Sequence, residues 1–103
     1  MAYNVSITDG ASAELGEILD YIINRLQNPS AAKDFLDKVG ECYGRLADNP
    51  KIYQQCDYEN FKEKGYRKAV VKNFVIIYRI DEAAKKVYIL HIFYGRQNYY
   101  SYI

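Results

Sequence analysis

The chain has 103 residues, of which half are apolar and 26% are charged, and this composition predicts one globular domain over residues 1–103 rather than a disordered or two-domain chain. No apolar run approaches the roughly 20 residues of a membrane span, no secretory leader is recognisable, and there are only two cysteines, so we expect a cytoplasmic protein without a membrane partner. The formal net charge of +1 is unevenly distributed, because residues 1–50 carry four Lys and Arg against eight Asp and Glu, whereas residues 51–103 carry ten against five.

The first predicted elements are a strand and an amphipathic helix. Tyr3–Thr8 alternates apolar and polar residues, which indicates a half-buried strand. Thr8 or Asp9 can cap the helix that follows by accepting an unpaired backbone N–H. From Ala11 to Leu26 apolar residues recur at spacings of three and four, as on one face of a surface helix.

A second helix is predicted after the break at Gln27-Asn28-Pro29, with Ser30 as its cap. It should end before Asn49-Pro50, because proline cannot continue a helix. The short connection makes the two helices an antiparallel hairpin. The apolar stripe of the second helix consists of Ala32, Phe35, Leu36, Val39, Tyr43 and Leu46.

The rest of the chain is predicted to be a loop followed by strands. Residues 51–65 are polar and show no sustained period, which indicates a long loop. Strands are expected at Tyr66–Lys72, Phe74–Ile80 and Lys86–Tyr94, separated by turns at Lys72-Asn73 and at residues 81–85. The order β-α-α-β-β-β predicts an α+β fold in which the helical hairpin packs on one face of a small, largely antiparallel sheet.

Neither a metal site nor a cofactor is expected. His91 is the only histidine, and no Cys, His or carboxylate residues surround it at the spacing of metal ligands. It has the strand parity of Ile89 and Phe93, so we expect an imidazole that is packed or lies at the rim of the sheet. Cys42 lies within a predicted helix without any sign of activation, and the isolated glycines form no phosphate-binding loop.

A basic segment in the second half of the chain is the first candidate site. Residues that alternate along a strand would lie on one face or edge of the sheet, where they can contact phosphate oxygens. The alternative is a solvated face whose edge lysines prevent aggregation. Arginines are the stronger candidates, since a guanidinium binds phosphate or carboxylate with two hydrogen bonds. The segment comprises Lys62, Lys64, Arg67, Lys68, Lys72 and Arg79.

The C-terminal tail is the second candidate site, because it combines an arginine with several tyrosines. Such a set can stack bases or transfer phenolic protons. It can also anchor a protein interface, or simply pack against the end of the sheet. The residue pattern leaves these three roles open. The residues concerned are Tyr94, Arg96, Tyr99, Tyr100 and Tyr102.

Four motifs in this order resemble the RelE/ParE superfamily, the toxin halves of bacterial type II toxin–antitoxin modules, also known as plasmid stabilisation proteins. The resemblance covers nearly the whole chain. It implies a growth-inhibiting toxin that is neutralised by a cognate antitoxin covering the region of Arg67 and Arg96, and that reaches operator DNA only through that antitoxin. The motifs are Arg45-Leu46-Ala47-Asp48-Asn49-Pro50, Gly65-Tyr66-Arg67-Lys68, Phe74-Val75-Ile76-Ile77-Tyr78-Arg79-Ile80-Asp81 and Tyr94-Gly95-Arg96-Gln97-Asn98-Tyr99.

The resemblance implies two alternative targets. RelE-like members cleave messenger RNA in the ribosomal A site without a metal, using Arg and Lys to hold the phosphate and a Tyr or another group to transfer the proton. ParE-like members act by protein contact with DNA gyrase. On the RelE-like interpretation Arg96, Tyr102 and Arg67 would be the catalytic residues.

One position favours the ParE-like branch. RelE-like nucleases usually carry an arginine in the central strand just after the aromatic residue, and this chain has Val75 there. The sequence Gly95-Arg96 before Gln97-Asn98 is also closer to the ParE-like pattern. We therefore predict a ParE-like toxin, with a ribosome-dependent endonuclease as the alternative. The residues predicted to bind a partner or phosphate are Arg67, Lys68, Lys72, Arg79, Tyr94 and Arg96.

Overall fold

A computed structural model describes residues 2–57, 59–71 and 74–95. This part of the chain contains one four-stranded sheet with the strand order β1-β4-β3-β2, in which only the β1–β4 pair is parallel. The predicted α+β fold is confirmed. The strands are β1 (Asn4–Ile7), β2 (Arg67–Val71), β3 (Phe74–Asp81) and β4 (Lys86–Tyr94), and the helices are α1 (Asp9–Asp20), α2 (Pro29–Asp48) and α3 (Glu59–Glu63).

Helix α1 begins at the predicted position, but its C-terminal end is not a regular α-helix. The Thr8 hydroxyl accepts a hydrogen bond from the Ala11 N–H at 3.2 Å, so Thr8 is the cap. The helix then continues into a π-helical turn over Tyr21–Arg25, where the Leu26 N–H donates to the Tyr21 carbonyl at 3.0 Å. The predicted helix from residue 11 to residue 26 therefore consists of an α-helical part and a wider π-helical turn.

Helix α2 starts earlier than predicted. Asn28 is the cap in place of Ser30, since its side chain accepts from the Ala31 N–H at 3.1 Å. Pro29 then occupies the first helical position, where its missing N–H and its fixed φ are favourable. Leu36 is 43% exposed and does not belong to the buried stripe, which corrects the predicted apolar face.

The two helices form the expected antiparallel hairpin beside the start of β1. The Tyr3 N–H donates to the Ala47 carbonyl at 2.7 Å. The C-terminal end of α2 therefore lies beside the start of β1, the strand that leads into α1. The helix ends at Asp48, before Asn49-Pro50, as predicted. One face of the hairpin and one face of the sheet enclose the main core, whose largest fully buried members are Tyr78, Ile22, Leu46, Ile76, Ile89 and Ile92.

The opposite face of the sheet, which we call the second face, has a smaller core of its own. Because side chains alternate along a strand, β3 directs Ile76 and Tyr78 towards the hairpin and Ile77 towards the second face. Residues 51–65 are not one long loop, since α3 forms there and buries Phe61 against Cys56 and Ile77. The second face carries Lys68, Val75, Ile77, Arg79, Tyr88 and Phe93.

A β-bulge changes the face on which His91 lies. The pairing of β3 with β4 shifts between Ile77 and Tyr78, so that Ile77 is opposite His91 whereas Tyr78 is opposite Ile89. His91 therefore shares the second face with Phe93, against which its ring is stacked, and not the hairpin face with Ile89. The predicted parity of His91 with Phe93 is confirmed and that with Ile89 is wrong, because a bulge inserts one extra residue into a strand.

We predict that Tyr78→Phe destabilises the fold. The buried Tyr78 hydroxyl donates to the Pro50 carbonyl at 2.6 Å, and phenylalanine would leave this buried carbonyl without that donor. The free energy of unfolding in urea should fall by about 1–2 kcal/mol. Tyr21→Phe, at a residue that is largely exposed, is the matched control and should change it by less than about 0.5 kcal/mol. Equal midpoints for Tyr78→Phe and the wild type would contradict the assigned role.

Candidate functional site

The structure separates the predicted cationic residues between two faces of the sheet. Arg67 is opposite Tyr78 and lies on the face that packs against the hairpin, whereas Lys68 and Arg79 lie on the second face. Because side chains alternate along the strand, the neighbouring residues Arg67 and Lys68 lie on opposite faces of the sheet. Lys72, Arg96 and Tyr102, as well as the turn at Lys72-Asn73, lie outside the described residues.

Arg67 holds the segment that follows α2. Its Nη1 donates to the Tyr53 carbonyl at 2.7 Å. The Tyr53 hydroxyl in turn accepts from Nε of Arg45 at 2.8 Å, and a backbone bridge joins Gln55 to Arg67. The half-buried guanidinium is thereby engaged within the protein, so the geometry gives Arg67 a positioning role for the segment around Tyr53. Its predicted role in phosphate binding stays a prediction.

Lys68 also contacts the segment around Tyr53, and it does so from the second face. Its Nζ lies 3.1 Å from the Asp57 carboxylate, and its side chain is only 11% exposed. Its backbone N–H donates to the Gln54 carbonyl at 3.1 Å. The positive charge of Lys68 is thus partly neutralised by an acidic neighbour before any partner binds.

Arg79 is the predicted cation whose geometry best fits a binding role. Its guanidinium carbon lies 4.1 Å from the centroid of the Tyr88 ring, directly across the β3–β4 pair. A guanidinium over an aromatic ring is held by cation–π attraction while its N–H groups remain able to bind phosphate or carboxylate at the edge. Arg79 and Tyr88 therefore form a preorganised pair on the second face.

Helix α3 adds further positive charge on the same side of the sheet. Phe61 anchors α3 on the second face, and the exposed Lys62 and Lys64 extend from this helix and the turn after it. Lys64 Nζ lies 5.8 Å from the centroid of the Tyr66 ring. We call Lys62, Lys64, Lys68 and Arg79, together with Tyr88, the cationic second face.

The centre of the second face is apolar. Val75 is opposite Phe93 and packs against the small core around Phe61. The ring of His91 is stacked on Phe93 with centroids 5.5 Å apart, and its Nδ1 lies 3.3 Å from the Glu14 carboxylate. The position at which a RelE-like nuclease carries an arginine is thus occupied by an aliphatic side chain within a packed cluster.

Tyr94 makes packing contacts on the hairpin side. Its ring lies edge-on to Phe35, with centroids 5.5 Å apart, and to Tyr21, with centroids 6.4 Å apart. Of the three roles open for the tyrosines of the tail, packing at the end of the sheet is the one that the described contacts of Tyr94 show. Its predicted role in binding a partner is not tested by these contacts.

The thiol groups of Cys42 and Cys56 and the phenol group of Tyr43 are held in their neutral forms. Burial raises the pKa of the Cys42 thiol, and it raises the pKa of Cys56 to about 11 and that of Tyr43 to about 12. A thiol acts as a nucleophile through its thiolate. The structure therefore gives both cysteines a packing role, as expected for Cys42.

Sequence reasoning missed Tyr88 and Tyr53 as residues that organise the site. Tyr88 could have been found by aligning the two strands across the 81–85 turn, because the pairing of Asp81 with Lys86 brings Arg79 opposite Tyr88. No sequence signal marks Tyr53, whose contacts with Arg45 and Arg67 come from distant parts of the chain.

The described residues provide neither a cluster of metal ligands nor a membrane-spanning helix. Within residues 2–57, 59–71 and 74–95, no group of three or more His, Cys, Asp or Glu residues could hold a metal ion. Among the helices described in the structure, none is long and apolar enough to cross a membrane.

The fold is shared with solved toxin–antitoxin structures. The chain superposes with a TM-score of 0.72 on a chain of the chromosomal ParDE toxin–antitoxin system from P. aeruginosa, at 20% identity, covering 92% of this chain and 98% of the other. With a chain of the RelBE2 toxin–antitoxin complex from Mycobacterium tuberculosis the TM-score is 0.66 at 21% identity, covering 91% and 99%. These similarities define the class of fold, that of RelE/ParE-like toxins.

The family follows from the sequence match. The model of the ParE toxin of the type II toxin–antitoxin system parDE matches residues 5–99. The chain therefore belongs to the ParE toxin family, and it is the toxin component of a type II toxin–antitoxin system. No curated protein sequence matches it closely enough to be counted as a relative.

We predict that Arg67→Ala destabilises the segment after α2. Loss of the charged hydrogen bond to the Tyr53 carbonyl should lower the free energy of unfolding by about 1–3 kcal/mol. It should also speed trypsin cleavage after Lys51 in the native protein. Arg79→Ala, which removes a cation–π contact, is the matched control and should cost less than about 1 kcal/mol. Cleavage after Lys51 at the wild-type rate would argue against the positioning role.

Stability should fall in alkaline solution. The folded protein binds the thiol and phenol protons of Cys56 and Tyr43 more tightly than the unfolded chain does, because burial raises their pKa values. The resulting contribution to stability is complete below the unfolded thiol pKa of about 8.5 and is lost as the pH rises towards 11 and beyond. Urea midpoints at pH 7 and pH 10 measure the effect, and Cys56→Ala should reduce the difference. An unchanged difference in that variant would contradict the assignment.

Proposed function

We propose that this toxin is ParE-like in mechanism, inhibiting growth by binding an essential protein target such as DNA gyrase, and that a cognate antitoxin neutralises it. The observation that carries the proposal is Val75 at the centre of the second face. Metal-independent cleavage of RNA requires charge stabilisation where the phosphate reacts, and an aliphatic side chain provides none. The family match to ParE toxins supports the same target class.

The surrounding residues are better suited to binding than to catalysis. Arg67 is engaged with Tyr53, and Lys68 with Asp57, whereas Arg79 is presented over Tyr88. An arginine and a tyrosine held together at a surface are the residue types that dominate protein interfaces. The cationic second face therefore fits an acidic protein segment, in the target or in the antitoxin, by electrostatic complementarity.

An antitoxin partner is supported by the structural neighbours, which are described as toxin–antitoxin systems. Arg79, Lys62 and Lys64 would contact an acidic segment of the antitoxin, which would also cover the nearby loop held by Arg67. Contact with operator DNA would then be indirect, through the antitoxin. The excess of positive charge in residues 51–103 would increase the rate at which the toxin associates with the antitoxin at low salt.

A RelE-like mRNA endonuclease is the second candidate. It is favoured by the spacing of Arg96 and Tyr102 and by the similarity of the fold to RelBE2. In that mechanism the arginine would hold the phosphate and the tyrosine would transfer a proton. Tyr102→Phe would then reduce the rate of cleavage by about 100- to 10,000-fold.

The test is to induce the chain alone in bacteria and to measure growth, translation and plasmid supercoiling. We expect growth arrest with filamentation and altered supercoiling, before translation declines. Tyr102→Phe should arrest growth as strongly as the wild type, because phenolic proton transfer has no part in the proposed mechanism. Co-expression of the cognate antitoxin should restore growth.

Two results would contradict the proposal. Normal growth on full expression would exclude both toxin mechanisms. A rapid block of translation with intact supercoiling, abolished by Tyr102→Phe, would establish the endonuclease instead. Empty vector and an out-of-frame copy of the gene are the controls.

A further inference from the structure

The end of the second face that lies away from Val75 collects polar side chains from three strands. The strand pairing places Ser6 of β1 opposite Tyr88 of β4, and Tyr88 opposite Arg79 of β3. Because side chains alternate along a strand, Lys86 lies on the same face as Tyr88, two residues earlier in β4. All four residues are half-buried. We call Ser6, Arg79, Lys86 and Tyr88 the polar corner of the sheet.

The two positive charges of the polar corner lie close enough to contact one small anion. The guanidinium carbon of Arg79 lies 4.1 Å from the centroid of the Tyr88 ring, so these two side chains meet above the β3–β4 pair. Ser6 is one strand away from Tyr88, at a strand spacing of about 4.8 Å, and Lys86 is about 7 Å from Tyr88 along β4. The contact with the ring fixes the guanidinium while its N–H groups remain available at the edge. The corner thus presents N–H donors in a fixed orientation near an ammonium group and a hydroxyl group.

The cations of the polar corner have no acceptor within the described part of the chain. There, the only side-chain partner of Arg79 is the Tyr88 ring, and Lys86 forms no ion pair with Asp81, the residue opposite it. The Asp81 Oδ1 instead accepts from the Ala84 N–H at 3.1 Å, within the turn between β3 and β4. Half-buried cations without an acceptor have lost part of their hydration, which favours the binding of an anion.

The number and the charge of these donors favour a phosphate group as the anion. A guanidinium donates two parallel hydrogen bonds to one oxyanion, and an ammonium and a hydroxyl can donate to further oxygens. A phosphomonoester has three terminal oxygens and carries a charge of about −1.5 to −2 at pH 7, which matches two cations. A carboxylate has only two oxygens, and a phosphodiester has two free oxygens and one charge. The polar corner therefore fits a phosphomonoester better than either of these.

We propose that the polar corner is a binding site for the phosphate group of a small phosphomonoester. The site lies about 13 Å along β3 from Val75, so it is separate from the position at which a RelE-like nuclease carries an arginine. Arg79 is also the residue that the proposed function assigns to an acidic protein segment, and a bound phosphate would compete with that segment. This competition rests on the proposed function, whereas the binding of phosphate does not.

Titration of the full chain, made by cell-free synthesis with ¹⁵N labelling, tests the chemistry of the site. The probe is glycerol phosphate, and NMR follows the backbone amides and the arginine Nε–H signals. We expect saturable shifts of the Arg79 Nε–H and of the Tyr88 amide, with a Kd below about 1 mM that rises at least about threefold between about 50 and about 300 mM NaCl. Inorganic phosphate should bind within about threefold of this affinity, because only the phosphate group is recognised. At equal ionic strength, the phosphodiester dimethyl phosphate and the dicarboxylate malonate should bind at least about fivefold more weakly.

Variants locate the binding. Arg79→Gln should weaken the binding of glycerol phosphate at least about tenfold, and Lys86→Gln at least about threefold. Arg25→Gln and Lys85→Gln are the matched controls, since Arg25 also lies over a tyrosine ring, at 5.9 Å, and Lys85 is the exposed neighbour of Lys86. Each control should change the Kd less than about twofold. Tyr88→Phe keeps the ring under the guanidinium and should retain binding, whereas Tyr88→Leu should weaken it at least about threefold.

Several results would overturn the site. They are the absence of saturable binding, failure of inorganic phosphate to bind, binding of dimethyl phosphate or malonate as tight as that of glycerol phosphate, and equal effects of the site variants and their controls. Urea midpoints show whether each variant is folded, and if Arg79→Gln is not, the comparison of Lys86→Gln with Lys85→Gln decides. Any of these results would leave the toxin assignment standing. Harmless expression of the wild-type chain would instead contradict the proposed function, and the titrations would still decide on the site.

Discussion

The arrangement of the domain depends on the burial of β3 on both of its faces. Ile76 and Tyr78 require cover on one side of the sheet and Ile77 on the other, because leaving such side chains in water would cost about 1.5–3 kcal/mol each. On the first side Ile76 and Tyr78 belong to the core between the hairpin and the sheet, and neither side chain is exposed. The second side is covered only near Ile77, by the short helix α3. The part of the sheet that α3 leaves uncovered is where Arg79 lies over Tyr88, so the candidate binding surface is a consequence of the incomplete second layer.

Much of the fold was predictable because its elements have strong local signals. The strand Lys86–Tyr94 has exactly the predicted bounds, since turn residues flank a long apolar run. Helix α3 was not predictable, because Phe61 is a single apolar residue among polar ones and a helix needs a repeated pattern to be recognised. The bulge that turns His91 to the second face has no sequence signature either, and it arises from the pairing of β4 with β3.

The types of residue in the candidate site could be predicted from the sequence, but the face of the sheet on which each residue lies could not. Arginine and lysine were predicted as the binding residues of the second half, but neighbouring residues on a strand point to opposite faces. Whether Arg67 or Lys68 faces the hairpin depends on the register between β2 and β3, which only the folded sheet defines. The engagement of Arg67 by the Tyr53 carbonyl depends in turn on a contact fourteen residues away in sequence. A positive side chain near a sheet is therefore weak evidence of a binding site until its partners are known.

The charge asymmetry of the chain follows the architecture. The acidic first half contains both hairpin helices, and the basic second half contains the cationic second face. The nearly neutral net charge of +1 thus conceals an acidic helical hairpin and a basic face of the sheet, which present different electrostatic surfaces to a partner.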